Sequence, residues 1–353
     1  MSAAVLERSD ARSGAEIVGR ARRGRARRTA IVVAACVLVL LVAAAGSLLA
    51  GASDLSPGKV LAAAFGFGDA GDVFIVQRLR LPRILAAILA GGALGLSGAL
   101  FQTTLRNPLA SPDLLGVSGG AAFGAVLALL VFKVDAGWVS AAAFAGALLV
   151  ALLSWALAWR GGLQGYRFVL VGVGLGVLMQ GLIGWMITRA DVRTVSDALV
   201  WTVGGVGNAS QDDLERTGIL VGIALVGVIA ISPRLPVLAL GDESARGLGV
   251  RAGRDRAIVL GLAVLLVASA VSLAGPLAFV ALMSAPIARR LVRNGGAALV
   301  AATAVGATLV VVADLVGSKL LPDGVPAGIV TGLIGAPYLL WLIAASNRKG
   351  VDG

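Results

Sequence analysis

Residues 257–288 read AIVLGLAVLLVASAVSLAGPLAFVALMSAPIA, which is 32 consecutive residues without a charge. One bilayer crossing needs about 20 apolar residues, so this stretch is too long for one helix. Gly275 and Pro276 stand in its middle, and this pair favours a turn between two helices. The stretch therefore predicts a helical hairpin in a membrane, with its second helix running to about Val292.

Other uncharged runs fill most of the chain. Hydrophobic residues make up 58% of the 353 residues and the mean hydropathy is +0.94, which excludes a soluble globular fold. We therefore expect an all-α integral membrane protein of about ten transmembrane helices. The predicted spans are 29–53, 84–105, 114–132, 137–159, 168–188, 217–231, the two halves of the hairpin, 297–318 and 325–345.

Basic residues are distributed unevenly between the two sides of the predicted membrane. With the N-terminus inside, the inner segments carry 21 of the 30 Lys and Arg residues. Short loops rich in these residues stay on the cytoplasmic side, so both termini are predicted to be cytoplasmic. Arg78, Arg80 and Arg83 form a basic cluster on the outer side, against this trend, and such a cluster is a candidate for a function.

The chain divides into one transmembrane domain and two short tails. The transmembrane domain covers residues 30–346, a basic cytoplasmic tail covers 1–29 and a second cytoplasmic tail covers 347–353. A cleaved signal peptide is the alternative for the first span, because Ala50, Gly51 and Ala52 fit a cleavage site. Its apolar run is longer than the usual core of about 7–15 residues.

Composition excludes several kinds of chemistry. The chain has no histidine, and its one cysteine, Cys36, lies in an apolar run, which excludes histidine catalysis, histidine metal sites and internal disulfides. No phosphate-binding loop is present, because residues 51–59 have the wrong glycine spacing and Val60 replaces the required Ser or Thr. The net charge of +11 lies in short clusters with few aromatic residues, which argues against nucleic acid as a partner. We therefore predict no catalytic residue and no metal site.

Two polar features lie within or between the spans. Asp314 is the only ionisable residue deep in a predicted span, and such acids often bind or transfer ions, although it could also bond a neighbouring helix. The inner loop 232–256 predicts two very short helices, 236–240 and 242–248, joined at Gly241. Such a loop is either a positively charged connector or a rigid docking element for a cytoplasmic partner.

Glycines spaced four residues apart recur in the spans and allow helix backbones to approach closely. Close packing within one bundle is the favoured interpretation, with subunit contacts or a pathway lining as the alternative. The pairs are Gly91/Gly95, Gly120/Gly124, Gly172/Gly176, Gly218/Gly222 and Gly328/Gly332.

A series of short motifs, in order along the chain, resembles those of one transport family. The motifs are RLPR at 80–83, SGALFQ at 97–102, RNPLASP at 106–112, WTVG at 201–204, LALGDESARGLGV at 238–250, GPLAFV at 275–280, AD at 313–314, PAG at 326–328 and GAP at 335–337. From about residue 30 to 345, the chain is similar to the permeases of ATP-driven importers for iron-siderophore complexes and cobalamin. It departs from the family pattern near Pro286, where the proline is displaced by one position.

The resemblance implies a fold of ten helices per subunit and a role for each matched motif. An ATPase subunit would bind the loop 232–256, an extracytoplasmic binding protein would dock on the outer basic residues, and ATP and magnesium would bind only to the ATPase, leaving this chain without a cofactor. The implied coupling residues are Gly241, Asp242, Glu243, Ala245, Arg246 and Gly249, the implied docking residues are Arg80, Arg83 and Lys319, and the implied cytoplasmic loop motif is Arg106, Asn107 and Pro108.

The resemblance thus implies a permease subunit in the cytoplasmic membrane of a prokaryote. It would pair with a second copy or a paralogue and pass an iron-siderophore complex intact into the cytoplasm. Cobalamin or haem is the alternative cargo within the same family. A proton-coupled secondary transporter using Asp314 is a further alternative, and a membrane-embedded enzyme is disfavoured because no nucleophile–base pair or metal-ligand set is visible.

Overall fold

The computed structural model describes residues 3–50, 55–159, 165–293, 297–322 and 324–351, and within them the chain forms helices and no β-strand. The α-helices, numbered in chain order, are α1 (Ala3–Leu49), α2 (Pro57–Ala64), α3 (Ala70–Phe74), α4 (Leu81–Thr104), α5 (Val117–Leu127), α6 (Ala136–Ala158), α7 (Gly165–Ile187), α8 (Val192–Val203), α9 (Gln211–Ile231), α10 (Leu235–Ala239), α11 (Asp242–Gly247), α12 (Ala252–Ala274), α13 (Val280–Val292), α14 (Leu299–Leu315) and α15 (Ala327–Val351).

Eight helical segments of the described residues are long and apolar enough to cross a membrane. The prediction of an all-α membrane protein is therefore confirmed, while the count of ten crossings and the side of the termini stay predictions. The eight segments are Gly19–Leu49, Ala70–Thr104, Gly137–Ala158, Arg167–Ile187, Gln211–Ala239, Ala252–Ala274, Leu299–Leu320 and Ala327–Ala344, and Val117–Phe132 is a shorter apolar helix.

The predicted hairpin breaks at Gly275. α12 ends at Ala274, and Gly275 adopts φ +64°, a backbone conformation that favours glycine. The second helix is shorter than expected, because the chain resumes a helix only at Val280. α13 then has 13 residues, about 20 Å, and does not by itself cross a hydrocarbon layer of about 30 Å.

The centre of the bundle is α4, which packs against α14, α12 and α13. Glycines on α4 set these contacts. A Cβ atom added to Gly95 would lie 2.3 Å from the carbonyl oxygen of Ala302, and one added to Gly98 would lie 1.9 Å from that of Ala281. Only glycine permits such backbone contact, so α4 is fixed in the bundle by its small residues.

The other predicted glycine pairs divide into packed and open positions. A Cβ atom on Gly124 would lie 2.2 Å from the Ala142 carbonyl oxygen on α6, and one on Gly328 would lie 2.0 Å from the Val203 carbonyl oxygen on α8. Gly218 and Gly222, on α9, have no such neighbour within 4 Å. Close packing within the subunit therefore explains the first two positions and does not explain the pair on α9.

The sequence pattern did not predict α8, a helix of 12 residues that stops at Gly204. Its end meets the break in the hairpin, because the backbone N–H of Gly205 donates to the Ala274 carbonyl at 2.7 Å. The N–H of Gly328, in the first turn of α15, donates to the Gly204 carbonyl at 3.1 Å. Three helix ends thus meet at one interior point.

The basic tail and the first span form one continuous helix, α1, which is 47 residues long. Only 6% of its most apolar 18-residue window is buried, and it packs mainly against α14. The alternative cleavage site includes Gly51 and Ala52, which lie outside the described residues, as do residues 1, 2, 352 and 353 of the predicted tails.

Candidate functional site

Two groups of candidate residues lie at opposite ends of the bundle. We call the end where α4 finishes and α10 and α11 lie the inner end, and the end where α4 begins and α14 finishes the outer end. The names follow the orientation predicted from the basic residues. The inner group includes Arg106 and Gly241, and the outer group includes Arg83 and Asp314.

The inner loop 232–256 contains two short helices, as its sequence predicted. Leu240 and Gly241 join α10 to α11, and Gly241 precedes the first turn of α11 with φ +103°. An L side chain rarely adopts this conformation, so the joint requires glycine. The Gly241 carbonyl accepts a hydrogen bond from the backbone N–H of Ala245, which is fully buried, and Gly249 follows α11 with φ +78°.

The surface of this loop combines charged and apolar side chains. Glu243 and Arg246 are exposed, as expected for residues that meet a partner. Leu240 and Leu248 are each 63% exposed, and the sequence did not single them out. Exposed leucines beside charged groups are typical of a surface that another protein covers. The Asp242 side chain lies outside the described ones.

An ion pair holds the two ends of the loop together. Arg234 Nη1 lies 2.9 Å from Asp255 Oδ1, and the Asp255 side chain is buried while that of Arg234 is half exposed. A buried carboxylate needs such a partner. Leu235 and Leu238 are buried beneath the loop, so the two helices form one rigid projection.

Arg106, Asn107 and Pro108 lie beside this projection, after the end of α4. A Cβ atom added to Gly241 would lie 3.0 Å from Arg106 Nη1, so the guanidinium packs directly on the joint between α10 and α11. The side-chain oxygen of Asn107 accepts a hydrogen bond from the Leu109 N–H at 2.9 Å, which fixes the turn. All three residues line a cavity of about 600 Å³ under α10.

A polar contact that the sequence did not predict connects α4 to α13. Gln102 donates from its amide nitrogen to the Leu282 carbonyl at 3.0 Å, and its amide oxygen accepts a hydrogen bond from Arg289. Gln102 is buried, so both halves of its amide need partners. The sequence motif contained Gln102, but nothing in it identified residues 180 and 187 positions away.

Asp113 closes the turn that follows the inner motif. Its carboxylate accepts hydrogen bonds from the hydroxyl groups of Ser111 and Ser118. Burial raises the pKa of Asp113 and the two hydrogen bonds lower it, with burial the larger effect. These contacts give Asp113 a structural role in the 3-10 turn Pro112–Leu115.

At the outer end, Arg83 and Asp314 form a two-pronged ion pair. Arg83 Nε lies 2.8 Å from Asp314 Oδ2, and Arg83 Nη2 lies 2.9 Å from Asp314 Oδ1. The Asp314 side chain is 6% exposed and that of Arg83 is 34% exposed. Both carboxylate oxygens are therefore bound by one guanidinium, and the pair joins the start of α4 to the end of α14.

The predicted docking residues meet around one outer cavity of about 330 Å³. Arg80 donates to the Leu48 carbonyl in the last turn of α1, which holds its guanidinium at the wall. Arg78 and Lys319 are exposed at the same cavity. Among the charged residues that line it, the four basic groups exceed the one acid, Asp314, so the cavity favours an anionic group.

The family model described as the FecCD transport family matches residues 37–345. The chain belongs to the FecCD transport family. The ferric enterobactin transport system permease protein FepG of Escherichia coli is 35% identical over 320 residues, covering 90% of this chain and 96% of the relative. The achromobactin transport system permease protein CbrC of Dickeya dadantii is 38% identical over 343 residues, covering 95% of this chain and 98% of the relative.

A solved structure shares the fold of this FecCD chain. It is described as an inward-facing conformation of a metal-chelate type ABC transporter, and it aligns with a TM-score of 0.78 and 27% identity over 89% of this chain and 99% of its own. FecCD members are permease subunits of ABC transporters and are not enzymes, since the ATPase lies on separate chains. The predicted family and the predicted transporter class are thus confirmed.

Proposed function

We propose that this FecCD chain is the permease subunit of an importer that carries an iron-siderophore complex into the cytoplasm of a prokaryote. Two ATPase subunits would drive it from the inner end, and an extracytoplasmic binding protein would deliver the cargo at the outer end. A second copy or a paralogue would complete the pathway in the cytoplasmic membrane.

One observation carries the choice of cargo. Relatives that match over nearly their whole length are named for ferric enterobactin, achromobactin and Fe(3+)-citrate. These cargoes are iron chelates, and a chelated ion is transported without ligands from the protein. This chain has no histidine, and its described residues contain no group of three or more His, Cys, Asp or Glu side chains suited to a metal ion.

The inner projection suits an ATPase contact because it is rigid and partly apolar. The exposed leucines, Leu240 and Leu248, flank α11, and the charged Glu243 and Arg246 lie between them. ATP drives transport only if it binds one conformation of the complex better than the other. The contact between the ATPase and the inner projection must therefore be rigid, so that a change of conformation in the ATPase moves the permease helices. The ion pair between Arg234 and Asp255 supports that stiffness.

The outer cavity suits docking because it places several basic groups on one surface. Arg78 and Lys319 are exposed there, and Arg80 and Arg83 are held in fixed positions by Leu48 and Asp314. A guanidinium held in place loses little entropy on binding a carboxylate. Acidic side chains of a binding protein would therefore meet a preformed basic surface.

A proton-coupled transporter is the alternative that Asp314 raised. A proton carrier must bind and release its proton in each cycle, whereas both oxygens of Asp314 are bound by Arg83. This contact favours a structural role for the carboxylate. Family membership favours ATP as the energy source as well.

Uptake measurements test the cargo. A strain that lacks its own iron-chelate permeases would receive this chain with its partner subunits, and uptake of radioactive iron as catecholate, citrate and hydroxamate complexes would be compared with uptake of cobalamin and haem. We expect an iron-siderophore complex to be taken up, and uptake to stop when the ATPase is inactivated. Transport of cobalamin or haem alone would overturn the cargo, and uptake that survives loss of the ATPase would overturn the importer class.

A further inference from the structure

The part of α1 that precedes its apolar span carries six arginines within nine residues. We call this segment, Arg20 to Arg28, the arginine collar. Arg22, Arg23, Arg25 and Arg27 are exposed, and their guanidinium groups make no hydrogen bond or ion pair with another described residue. The matched FecCD region begins only at residue 37, so family membership assigns the collar no role.

The position of the collar along α1 places it at the membrane surface. The apolar part of α1, residues 29–49, is 21 residues long, which corresponds to about 31 Å of helix. This length matches a hydrocarbon layer of about 30 Å. Counted from Thr29, Arg27 lies about 3 Å and Arg22 about 10 Å beyond the apolar part of the helix. Headgroups occupy about 5–7 Å on each side, so Arg27 and Arg25 lie at headgroup depth and Arg23 and Arg22 lie just outside it.

The surroundings of α1 favour lipid over protein as the neighbour of the collar. Only 6% of the apolar window of α1 is buried in the subunit, so the chain itself leaves most of this helix uncovered. α1 packs mainly against α14 and to a lesser extent against α13 and α4, whereas the short helices α10 and α11 pack against α4 and α12. At about 100° per residue, the four exposed arginines also point to several sides of the helix, which suits a surrounding layer better than one docked surface.

Neighbouring residues extend the same surface. Arg28 donates from Nε to the Leu291 carbonyl at 2.9 Å, which joins the collar to the end of α13. On α13, the Arg290 guanidinium lies 4.1 Å from the ring centroid of Trp341, which is half exposed on α15. Tryptophan beside basic groups is typical of a membrane interface. Among the described side chains, the one acid that pairs with the collar is Glu16, whose Oε2 lies 3.4 Å from Arg20 Nη2.

We propose that the arginine collar binds the headgroups of anionic phospholipids at the inner membrane surface. Each lipid phosphate would accept hydrogen bonds from guanidinium groups, and the continuous helix would fix the depth of α1 in the bilayer. A basic residue near an anionic surface contributes about a five-fold preference. The collar therefore makes this chain selective for anionic lipid independently of its cargo.

Native mass spectrometry of the full-length chain tests this proposal. The purified protein would be mixed with equal amounts of phosphatidylglycerol and phosphatidylcholine, and the ratio of their apparent affinities would be measured. We expect phosphatidylglycerol to bind more tightly by at least about five-fold. Replacing Arg22, Arg23, Arg25 and Arg27 with glutamine should lower this ratio at least about five-fold, and replacing them with lysine should preserve it.

A control variant removes three positive charges at the outer end. Lys133→Gln, Arg189→Gln and Arg216→Gln should leave the affinity ratio unchanged. Because removal of collar charge also weakens the orientation signal, salt titration of the unaltered chain supplies a second measurement. The ratio should fall as the Debye length shortens from about 30 Å to about 8 Å.

Three outcomes would overturn the proposal. They are an unchanged ratio in the glutamine variant, an equal loss in the outer control, and a ratio that does not respond to salt. Loss of a copurifying ATPase from the glutamine variant with unchanged lipid affinity would instead assign the collar to a protein partner. None of these outcomes depends on which cargo is transported.

Discussion

Arg83 and Asp314 form an ion pair whose two members differ in exposure, and this difference has a measurable consequence. Replacing Arg83 with methionine leaves a buried carboxylate without a partner, which we expect to destabilise the protein by about 3–5 kcal/mol. Asp314→Asn leaves a guanidinium that water reaches, so we expect a smaller loss of about 1–3 kcal/mol. Thermal unfolding of the purified chain in detergent measures both.

The double variant Arg83→Met with Asp314→Asn provides the control for this prediction. It removes both charges, so it should recover most of the stability that Arg83→Met loses. A double variant as unstable as the sum of the single variants would show that the two residues do not interact.

The docking role of the outer basic residues is tested by reversing their charge. Arg80→Glu with Lys319→Glu leaves the pair between Arg83 and Asp314 intact. It should weaken binding of the extracytoplasmic partner and reduce the dependence of the remaining affinity on salt. Lys133→Glu with Arg189→Glu, which makes the same charge change outside the cavity, should have a smaller effect. Titration of the reconstituted transporter with its binding protein gives both quantities, and an unchanged affinity and salt slope would rule out the assignment.

At the scale of single residues, the sequence identified candidate functional residues more readily than the residues that they contact. Asp314 stood out because a charge in an apolar span is rare. Its contact with Arg83 is formed across 231 positions of the chain, and no local pattern encodes such a distance. The same limit applies to Gln102 and Arg289.

The joint between α10 and α11 allows a test at the scale of an element. Gly241→Ala would force a side chain into φ +103° and towards Arg106, so it should impair transport while ATP hydrolysis continues. Gly247→Ala, six residues later within α11, meets no atom within 4 Å and should behave as the unaltered chain. Transport and hydrolysis would be measured in the same vesicles. Normal coupling in Gly241→Ala would contradict the role of the joint.

Helix packing around α4 gives a second test at this scale. Gly98→Ala would bring a Cβ atom to 1.9 Å from the Ala281 carbonyl oxygen, so α4 and α13 must separate, at a loss of about 1–3 kcal/mol. Gly222→Ala on α9 meets open space and should be neutral or stabilising by up to about 1 kcal/mol. Unfolding temperatures compare the two, and equal values would contradict the packing account.

Elements were predictable where a single physical signal dominated. Gly275 and Pro276 marked the hairpin break because both disfavour a continuing helix. The sequence did not predict α8 because its 12 residues are too few for a membrane span. They include Arg193 and Asp197, and a short charged segment resembles a polar connection between two spans. Its helix depends on contacts with the hairpin break, which are tertiary.

At the scale of the whole molecule, the described subunit leaves much of its apolar surface uncovered. The most apolar window of α4 is 83% buried, whereas those of α7 and α9 are 22% and 28% buried. We predict that purification in mild detergent recovers the chain with a second permease subunit and with ATPase subunits that contain a phosphate-binding loop. Mass spectrometry of the intact complex would identify them. A chain recovered alone under conditions that preserve complexes would contradict the assembly.

The general architecture was accessible from sequence because the bilayer imposes the length of every span and the basic residues predict its direction. The half-length α13 was not accessible, because hydropathy reports how apolar a segment is and not where its helix begins. Residues 275–279 are as apolar as the helix that follows them.

α4 carries a fixed contact at each extremity, namely Arg83 to α14 and Gln102 to α13. Nineteen residues of helix separate them, which is about 28 Å. A tilt of such a rod by about 5° shifts one end by roughly 2.5 Å relative to the other. That displacement is comparable to the length of a hydrogen bond. One rotation of α4 would therefore both change the contact of Arg83 at the outer end and break the hydrogen bond of Gln102 at the inner end.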